Sequence, residues 1–391
     1  MRPALLCKHK TPAVSNDRRR DLWELARLFG RLSLTAFGGP AAHIALMREE
    51  IVERRGWLDE QEFLDIVGSS NAIPGPTSTE VAIHTGRRVA GAAGLVVAGV
   101  AFVLPAAVIM GVLGWLYVRY GRTPAVEDLF YGVKPVVVVI VARAVYLLGQ
   151  TAVKSRLLAA IGAGALVVYL LGGTEPVILF VAAGACSALV FRPRPRGRPR
   201  PRLRSIVLLA PPTIAVHDRL GEIFLLFLKV GALLFGSGYV LFAFLQRDLV
   251  EARHWLTESQ LLDAIAVGQL TPGPLFTTAT FVGEVLAGPA GAVVATVGIF
   301  LPSFVLVAAI SPVITRLRRS PITSAALDGL NVAAVALMAG VALRLSRDAV
   351  VDVPTFVLLA LAGAVLWRWK GNPAWLMAAG ALAGLAIRAL S

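Results

Sequence analysis

The stretch that decides the fold runs from Asn71 to Gly86 and reads NAIPGPTSTEVAIHTG. At its centre, Pro74-Gly75-Pro76 cannot belong to a continuous helix. Each proline lacks an N–H donor and clashes with the preceding turn, and the glycine admits backbone angles closed to other residues. The segments on either side are apolar. Unwound backbone at membrane depth has to be buried in protein or line a polar cavity. A second triplet, Pro272-Gly273-Pro274, follows 198 residues later in QLTPGPLFTTATFVGE. Two broken apolar segments at matching places in two halves of a chain point to a transporter's binding site.

The match extends well beyond the triplets. At the same offset Phe37-Gly38 pairs with Phe235-Gly236 and Trp57-Leu58 with Trp255-Leu256. Arg31 pairs with Lys229, Glu50 with Asp248, Glu53 with Glu251, Glu60 with Glu258, and Asp65 with Asp263. After the triplets one residue drops out, and Gly94, Pro105 and Gly132 pair with Gly291, Pro302 and Gly329 at an offset of 197. A period this long is not a solenoid repeat but a duplicated domain.

Composition sets the class. Of 391 residues 57% are hydrophobic, the mean hydropathy is +0.72, and only 16% are charged. That describes a polytopic, all-α membrane protein rather than a soluble enzyme. The net charge of +14 is read as basic cytoplasmic loops, not as a nucleic-acid surface. Cys7 and Cys186 are too few and too far apart for a disulfide framework or a metal cluster, and no cofactor is expected. No cleavable signal peptide is apparent, since the first residues are polar and basic. The expected partners are the lipid bilayer and a small anion, and the oligomeric state stays open, with a homodimer as one option.

Read in order, residues 1–20 form a polar tail, 21–191 a first repeat, 192–218 a linker and 219–391 a second repeat. The first apolar segment, from Leu22 to Met47, is interrupted by Phe37-Gly38-Gly39-Pro40, which argues for a break or a re-entrant turn. Residues 48–62 are charged and read as one amphipathic interfacial helix, with Trp57 as an anchor. Between Arg88 and Arg119 lie 30 uncharged residues. As helix they would span about 45 Å, more than a ~30 Å hydrocarbon core requires, so the segment has to tilt, kink at Pro105 or overhang. The second repeat has the same excess between Glu284 and Arg316, with Pro302 at the matching place. The linker, RPRPRGRPRPRLR over residues 192–204, should be extended and solvated. It reads as a cytoplasmic loop or, more sharply, as an anionic-lipid contact. With the linker inside, inverted halves place Arg368-Trp369-Lys370 inside as well and so fit the loop charges best. The basic amino-terminal tail dissents, because an odd number of crossings per half puts it outside.

The chemistry is expected at the triplets. Each proline pair hands over to an apolar segment able to start a helix, with Pro76 and Pro274 suited to a first helical position. A half-helix that begins inside the membrane presents free N–H groups and a positive dipole end. Thr77, Ser78 and Thr79 in one first turn, and Thr277, Thr278 and Thr280 in the other, add hydroxyl donors. Two such turns facing each other at a repeat interface suit a small tetrahedral oxyanion. The alternative is that the hydroxyls cap the helices or bond across them. Asn71 and Gln269, just before the triplets, are matched amides that either donate to a ligand or bond between helices. Gly38 and Gly39, with Gly236 and Gly238 in the second copy, allow close approach of a ligand or of another helix. Arg31 and Lys229 are matched cations that either serve the anion or snorkel to the interface. Glu80 and His84 share a helix face at i and i+4, but the repeat has Thr278 and Val282 there. Glu80 is the candidate for proton coupling, since a carboxylate beside an anion has to be neutralised. His43, matched by Leu241, reads as packing.

These residues resemble the chromate ion transporter family in its long two-domain form. The family's marks are a Phe-Gly-Gly turn, Trp-Leu before an acidic helix, a Pro-Gly-Pro turn rich in hydroxyls and a Gly…Leu-Pro helix. Here they read FGGPAAHI, ERRGWLDEQEF, NAIPGPTSTEVAIHTG and GVAFVLP. The second copies read FGSGYVLF, EARHWLTESQLLDAIAVGQLTPGPLFTTATFVGE and GIFLPSF. Glu80 departs from the family pattern, in which a neutral amide is more usual. The resemblance implies export of chromate, with sulfate as the related dianion, across the cell membrane. The competing expectations are a carrier for sulfate or another oxyanion, and a membrane enzyme that uses Glu80 and His84 at a metal.

Overall fold

The computed structural model describes residues 18–36, 40–71, 73–121, 123–171, 176–190, 218–235, 238–317, 321–368 and 373–390. The arginine- and proline-rich linker and most of the amino-terminal tail lie outside these residues, as do Gly38, Gly39 and Gly236. Among the described residues every regular element is helical. The first half comprises α1 (Arg18–Thr35), α2 (Pro40–Arg48), a π-helix (Glu49–Arg54), α3 (Glu60–Ser70), α4 (Thr77–Tyr120), α5 (Pro124–Ala152), α6 (Arg156–Leu170) and α7 (Pro176–Val190). The second comprises α8 (Arg219–Leu233), a 3-10 turn (Gly238–Val240), α9 (Leu241–Leu245), a π-helix (Gln246–Ala252), α10 (Glu258–Leu270), α11 (Thr278–Leu317), α12 (Pro321–Ala349), α13 (Val353–Arg368) and α14 (Pro373–Leu390). Even the rare π-helices fall at matching places. Five helices among the described residues are long and apolar enough to cross a membrane.

The stretch 48–62 is not one helix. It closes as a π-helix, turns at Gly56 (φ 59°), and restarts at Glu60, where Asp59 caps α3 by accepting from the Glu62 N–H at 2.7 Å. The excess apolar length also has another explanation than a kink at proline. Non-helical backbone in α4 falls at Ala90 and Gly91 (φ 65°, ψ −146°), and in α11 at Ala287 and Gly288 (φ 63°, ψ −158°). Only glycine takes that conformation without strain, so the turn sits there and not at Pro105 or Pro302. Gly86 lies against Gly94, and Gly283 against Gly291, so tightly that a Cβ on any of them would strike the facing backbone. Glycines eight residues apart can touch in this way only if the chain has folded back. Each of α4 and α11 is therefore a hairpin with a short arm and a long arm. The short arm of α4, from Thr77 to the break, is about 20 Å long, less than the ~30 Å hydrocarbon core.

The halves interlock. Within each half, α1 packs on α4 and α8 on α11, and the two hairpins pack on each other. The outer helices are exchanged: α5 packs on α13 and α14, and α12 on α6 and α7. Gly132 of α5 meets Gly380 and Gly384 of α14, and Gly329 of α12 meets Ala183 and Ser187 of α7. Small residues let these backbones approach closely, which is how apolar helices gain packing where no water drives them together. Direction follows from the hairpin contacts. Gly75 abuts Ser303, and further along the same arm Arg87 donates to the carbonyls of Val307 and Ala308 at 2.6 and 2.8 Å. On the other side Gly273 abuts Ala106, and Glu284 abuts Gly114. Each short arm thus runs beside the other half's long arm in the same chain direction.

Candidate functional site

Each triplet is tied to the opposite half. The Gly75 N–H donates to the Leu234 carbonyl at 2.8 Å, and the Gly273 N–H to the Ala36 carbonyl at 3.0 Å. Ala36 and Leu234 stand just past the ends of α1 and α8, where the helix stops and its last carbonyls lack intrahelical partners. They are 198 residues apart, like the triplets. Gly75 (φ 140°) and Gly273 (φ 94°) both occupy backbone regions that favour glycine. A broken helix from one half and a broken helix start from the other therefore meet twice, by the same bond.

The two crossings differ in their side chains. At the first, Ser303, the residue after Pro302 in α11, donates its hydroxyl to Glu80 Oε1 at 3.3 Å. A Cβ on Gly75 would overlap both of these groups. Glu80 is fully buried, and its Oε2 has no hydrogen-bond partner among the described residues. At the second crossing the place of Ser303 is taken by Ala106 and that of Glu80 by Thr278. Gly273 there packs on Ala106 and on the backbone and hydroxyl of Ser33. Ser33 is wholly buried, and its hydroxyl is unpartnered among the described residues. His43 approaches the second crossing too, with Nε2 3.1 Å from the Ala36 carbonyl and its ring edge-on to Phe102.

The helix starts also differ. Pro76 is the residue before α4, and Pro274 precedes a 3-10 turn, Leu275–Thr277, that leads into α11. Both prolines stand one place earlier than a first helical position, within the usual uncertainty of helix ends. Thr77, Ser78 and Thr79 are buried. Thr79 Oγ1 has no partner among the described residues. In the second turn the hydroxyls are engaged. Thr277 donates to the Pro274 carbonyl and Thr278 to that of Leu275, each at 2.8 Å, while Thr280 lies 2.7 Å from Thr296. Thr296 spends its own hydrogen on Ala292, so Thr280 donates. These are local back-bonds of the kind that Ser and Thr make within helices.

The remaining candidates divide. Gly238 packs on Leu275 and Phe276, directly after the second triplet, so the described part of that glycine motif belongs to the crossing. Gln269 accepts from the Tyr239 hydroxyl at 3.5 Å, and its buried Nε2 is unpartnered among the described residues. Asn71 lies at the end of α3 and lines a cavity against α5 and α12. Arg31 and Lys229 do not join the crossings. Arg31 pairs with Glu50 at 2.6 Å and Lys229 with Asp248 at 3.4 Å, the same matched pair in each half. Glu50 and Asp248 lie on the two π-helices. Close by, Arg48 hydrogen-bonds Glu60 and holds its carboxyl below the usual carboxylate range. His84 is buried on the short arm one turn beyond Glu80. Among the described residues no group of three or more His, Cys, Asp or Glu side chains is placed to hold a metal ion.

The sequence singled out neither Ser33 nor Ser303. Their counterparts Gly231 and Ala106 carry no hydroxyl, so the duplication gives no signal for them.

The family model described as chromate transporter matches residues 23–188 and again residues 221–385. The chain belongs to the chromate transporter family. A probable chromate transport protein of Synechococcus elongatus is 33% identical over 369 residues, covering 93% of this chain and 92% of its own length. A chromate transport protein of Cupriavidus metallidurans is 32% identical over 93% of this chain and 92% of its own length. One from Pseudomonas aeruginosa is 32% identical over 89% and 88%. No solved structure matches the chain. Membership in the chromate transporter family makes the chain a transport protein with an internal repeat, and the membrane-enzyme reading of Glu80 and His84 is set aside.

Proposed function

We propose that the chain exports chromate, with sulfate as the related dianion, across the cytoplasmic membrane, and that the anion binds where the triplets cross the broken helices. The observation that carries this is the reciprocal bond of each triplet glycine to the broken helix of the other half. The reading is supported by two helix starts at the repeat interface, whose N–H groups and first-turn hydroxyls suit a tetrahedral anion without a fixed cation. The substrate site comprises Pro74, Gly75, Pro76, Thr77, Ser78 and Thr79 with Pro272, Gly273, Pro274, Thr277, Thr278 and Thr280. Gln269 and Gly238 lie at its edge. Arg31 and Lys229 act as braces to Glu50 and Asp248.

The halves are inverted in the membrane. Each short arm runs against its own long arm and along the other half's long arm, so the two long arms run in opposite directions, as a two-fold axis in the membrane plane requires. The linker lies in the cytoplasm. Export needs no nucleotide: at about 2.3 kcal/mol per charge per 100 mV, a dianion leaving a negative interior gains roughly 4.6 kcal/mol. Chromate flux into everted vesicles, with sulfate as competitor and the membrane potential set by an ion gradient, tests this reading. Flux indifferent to the potential removes the driving force, and flux of sulfate alone moves the substrate to the alternative oxyanion.

Glu80 is the proton-coupling residue. Ser303 from α11 faces it, and His84 and Arg87 follow it on its own arm, but Arg87 is spent on the Val307 and Ala308 carbonyls. Glu80 can take up or release a proton without breaking an ion pair. When ionised it repels a dianion one turn away, so flux falls as pH rises through its titration. Glu80→Gln keeps transport and abolishes that fall. A variant with the wild-type pH profile would remove Glu80 from coupling.

A further inference from the structure

A cavity of about 280 Å³ opens between the end of α3, the end of α5 and the middle of α12. Asn71, Lys154, Asp328, Asn331 and Met338 line it. It draws on both halves, and Asn71 stands three residues before Pro74 of the first triplet. The cation, Lys154, is held by a carboxylate from the other half, Asp328, at 2.7 Å.

The repeat maps Asn331 onto Lys134 and Asn71 onto Gln269, while Lys154 and Asp328 themselves map onto Val351 and Tyr131. Lys134 is likewise paired with a carboxylate from the second half, Asp263, at 3.2 Å. Asp263 also accepts from Tyr117 at 2.7 Å, and Lys134 donates to Ser259 at 2.6 Å. The lysines are 20 residues apart, Lys134 about three turns into α5 and Lys154 just past its end, a separation of about 30 Å as helix. Each lysine is bolted to the other half. The two pairs are not in the same condition. The Lys154 and Asp328 side chains are 60% and 27% exposed, those of Lys134 and Asp263 only 19% and 8%.

We propose that the cavity at Lys154 is one mouth of the transport path, open in this structure, and that Lys154 receives the oxyanion there by exchanging Asp328 for it. Resting on the oxyanion function above, this adds the cation that the crossing lacks. An exposed Lys–Asp pair is weak, so a dianion can displace the carboxylate. The amides of Asn71 and Asn331 then donate to the same ligand, and Asn71 leads it to the first triplet. Lys134 plays the same part at the opposite mouth, which is closed. Its pair with Asp263 has to open when the Lys154 side shuts.

Equilibrium binding of chromate to the purified full-length protein, with vesicle flux beside it, tests the exchange. Lys154→Gln weakens binding about tenfold, the loss expected for one bond to a charged group. Lys154→Arg stays near wild type. Asp328→Asn removes the competitor and tightens binding by up to about fivefold, the worth of an exposed pair. The opposite signs decide the matter, because both substitutions break the pair. If it is only a brace, both act alike, and equal weakening or no change in the two variants overturns the proposal. Wild-type protein that neither binds nor moves chromate or sulfate overturns instead the function on which it rests.

Discussion

Replacing Thr77, Ser78 and Thr79 together with alanine lowers chromate affinity on the order of a hundredfold or more and leaves the protein folded and inserted. A hydrogen bond to a charged group contributes about 1.5–3 kcal/mol net, so losing two of them suffices. The residues of this turn are buried, and the Thr79 hydroxyl has no partner among the described residues, so it is left to a ligand. The matching change at Thr277, Thr278 and Thr280 acts in the same direction with a smaller effect on affinity. Those three hydroxyls already donate to Pro274, Leu275 and Thr296. Their loss costs mainly stability, at about 0.5–1.5 kcal/mol per bond. Flux and binding measured beside a melting curve for each variant separate the outcomes. A lower Tm with unaltered affinity in the first-turn variant would make its hydroxyls helix caps. The anion would then have to be held by the backbone N–H groups alone, since Arg31 and Lys229 are engaged with Glu50 and Asp248.

The duplicated triplets were enough to read two broken-helix halves, because a Pro-Gly-Pro run in apolar sequence has few physical solutions. The contacts between the halves were legible to the same depth: the glycine bonds fall at the triplets and at the ends of α1 and α8, next in sequence to Phe37-Gly38 and Phe235-Gly236. The partners of Arg31 and Lys229 were also within reach, since Glu50 and Asp248 match at the same offset. What the offset cannot carry is which half each element packs on. An internal repeat reads alike whether α5 meets α7 or α14, and the exchange of outer helices shows only in contacts such as Gly132 with Gly380. The hairpin turn was hidden for a different reason. Gly91 is one of several small residues in VAGAAG, while Pro105 is the conspicuous breaker. Yet a proline inside a long helix removes one bond, whereas reversing the chain needs the positive φ that Gly91 and Gly288 supply. The pairs Gly86 with Gly94 and Gly283 with Gly291, equal in spacing, were the available sign.

Gly273→Ala abolishes transport and lowers stability by about 2–6 kcal/mol, adding 1–3 for overpacking to 1–3 for backbone strain. The residue sits at φ 94°, and its new Cβ would lie 2.6 Å from Ala106 Cβ and 3.0 Å from the Ser33 carbonyl. Neither is the end of a flexible side chain. The triplet has to withdraw from α1, and the bond from Gly273 N–H to Ala36 is lost with it. Gly75→Ala meets the same strain at φ 140°, but its overlaps are with Ser303 Oγ and Glu80 Oε1, which can rotate away. It therefore keeps more stability while disrupting the bond between Ser303 and Glu80, and its pH profile changes in the sense expected for Glu80→Gln. The pair Gly273→Ala with Ala106→Gly separates the two costs at the second crossing. Removing the Ala106 methyl relieves the closest overlap and leaves the φ strain, so the double variant recovers part of the Tm and measurable flux. Full activity in Gly273→Ala alone would mean that the crossing is not held closely during transport. The anion site would then have to be sought away from the two triplets.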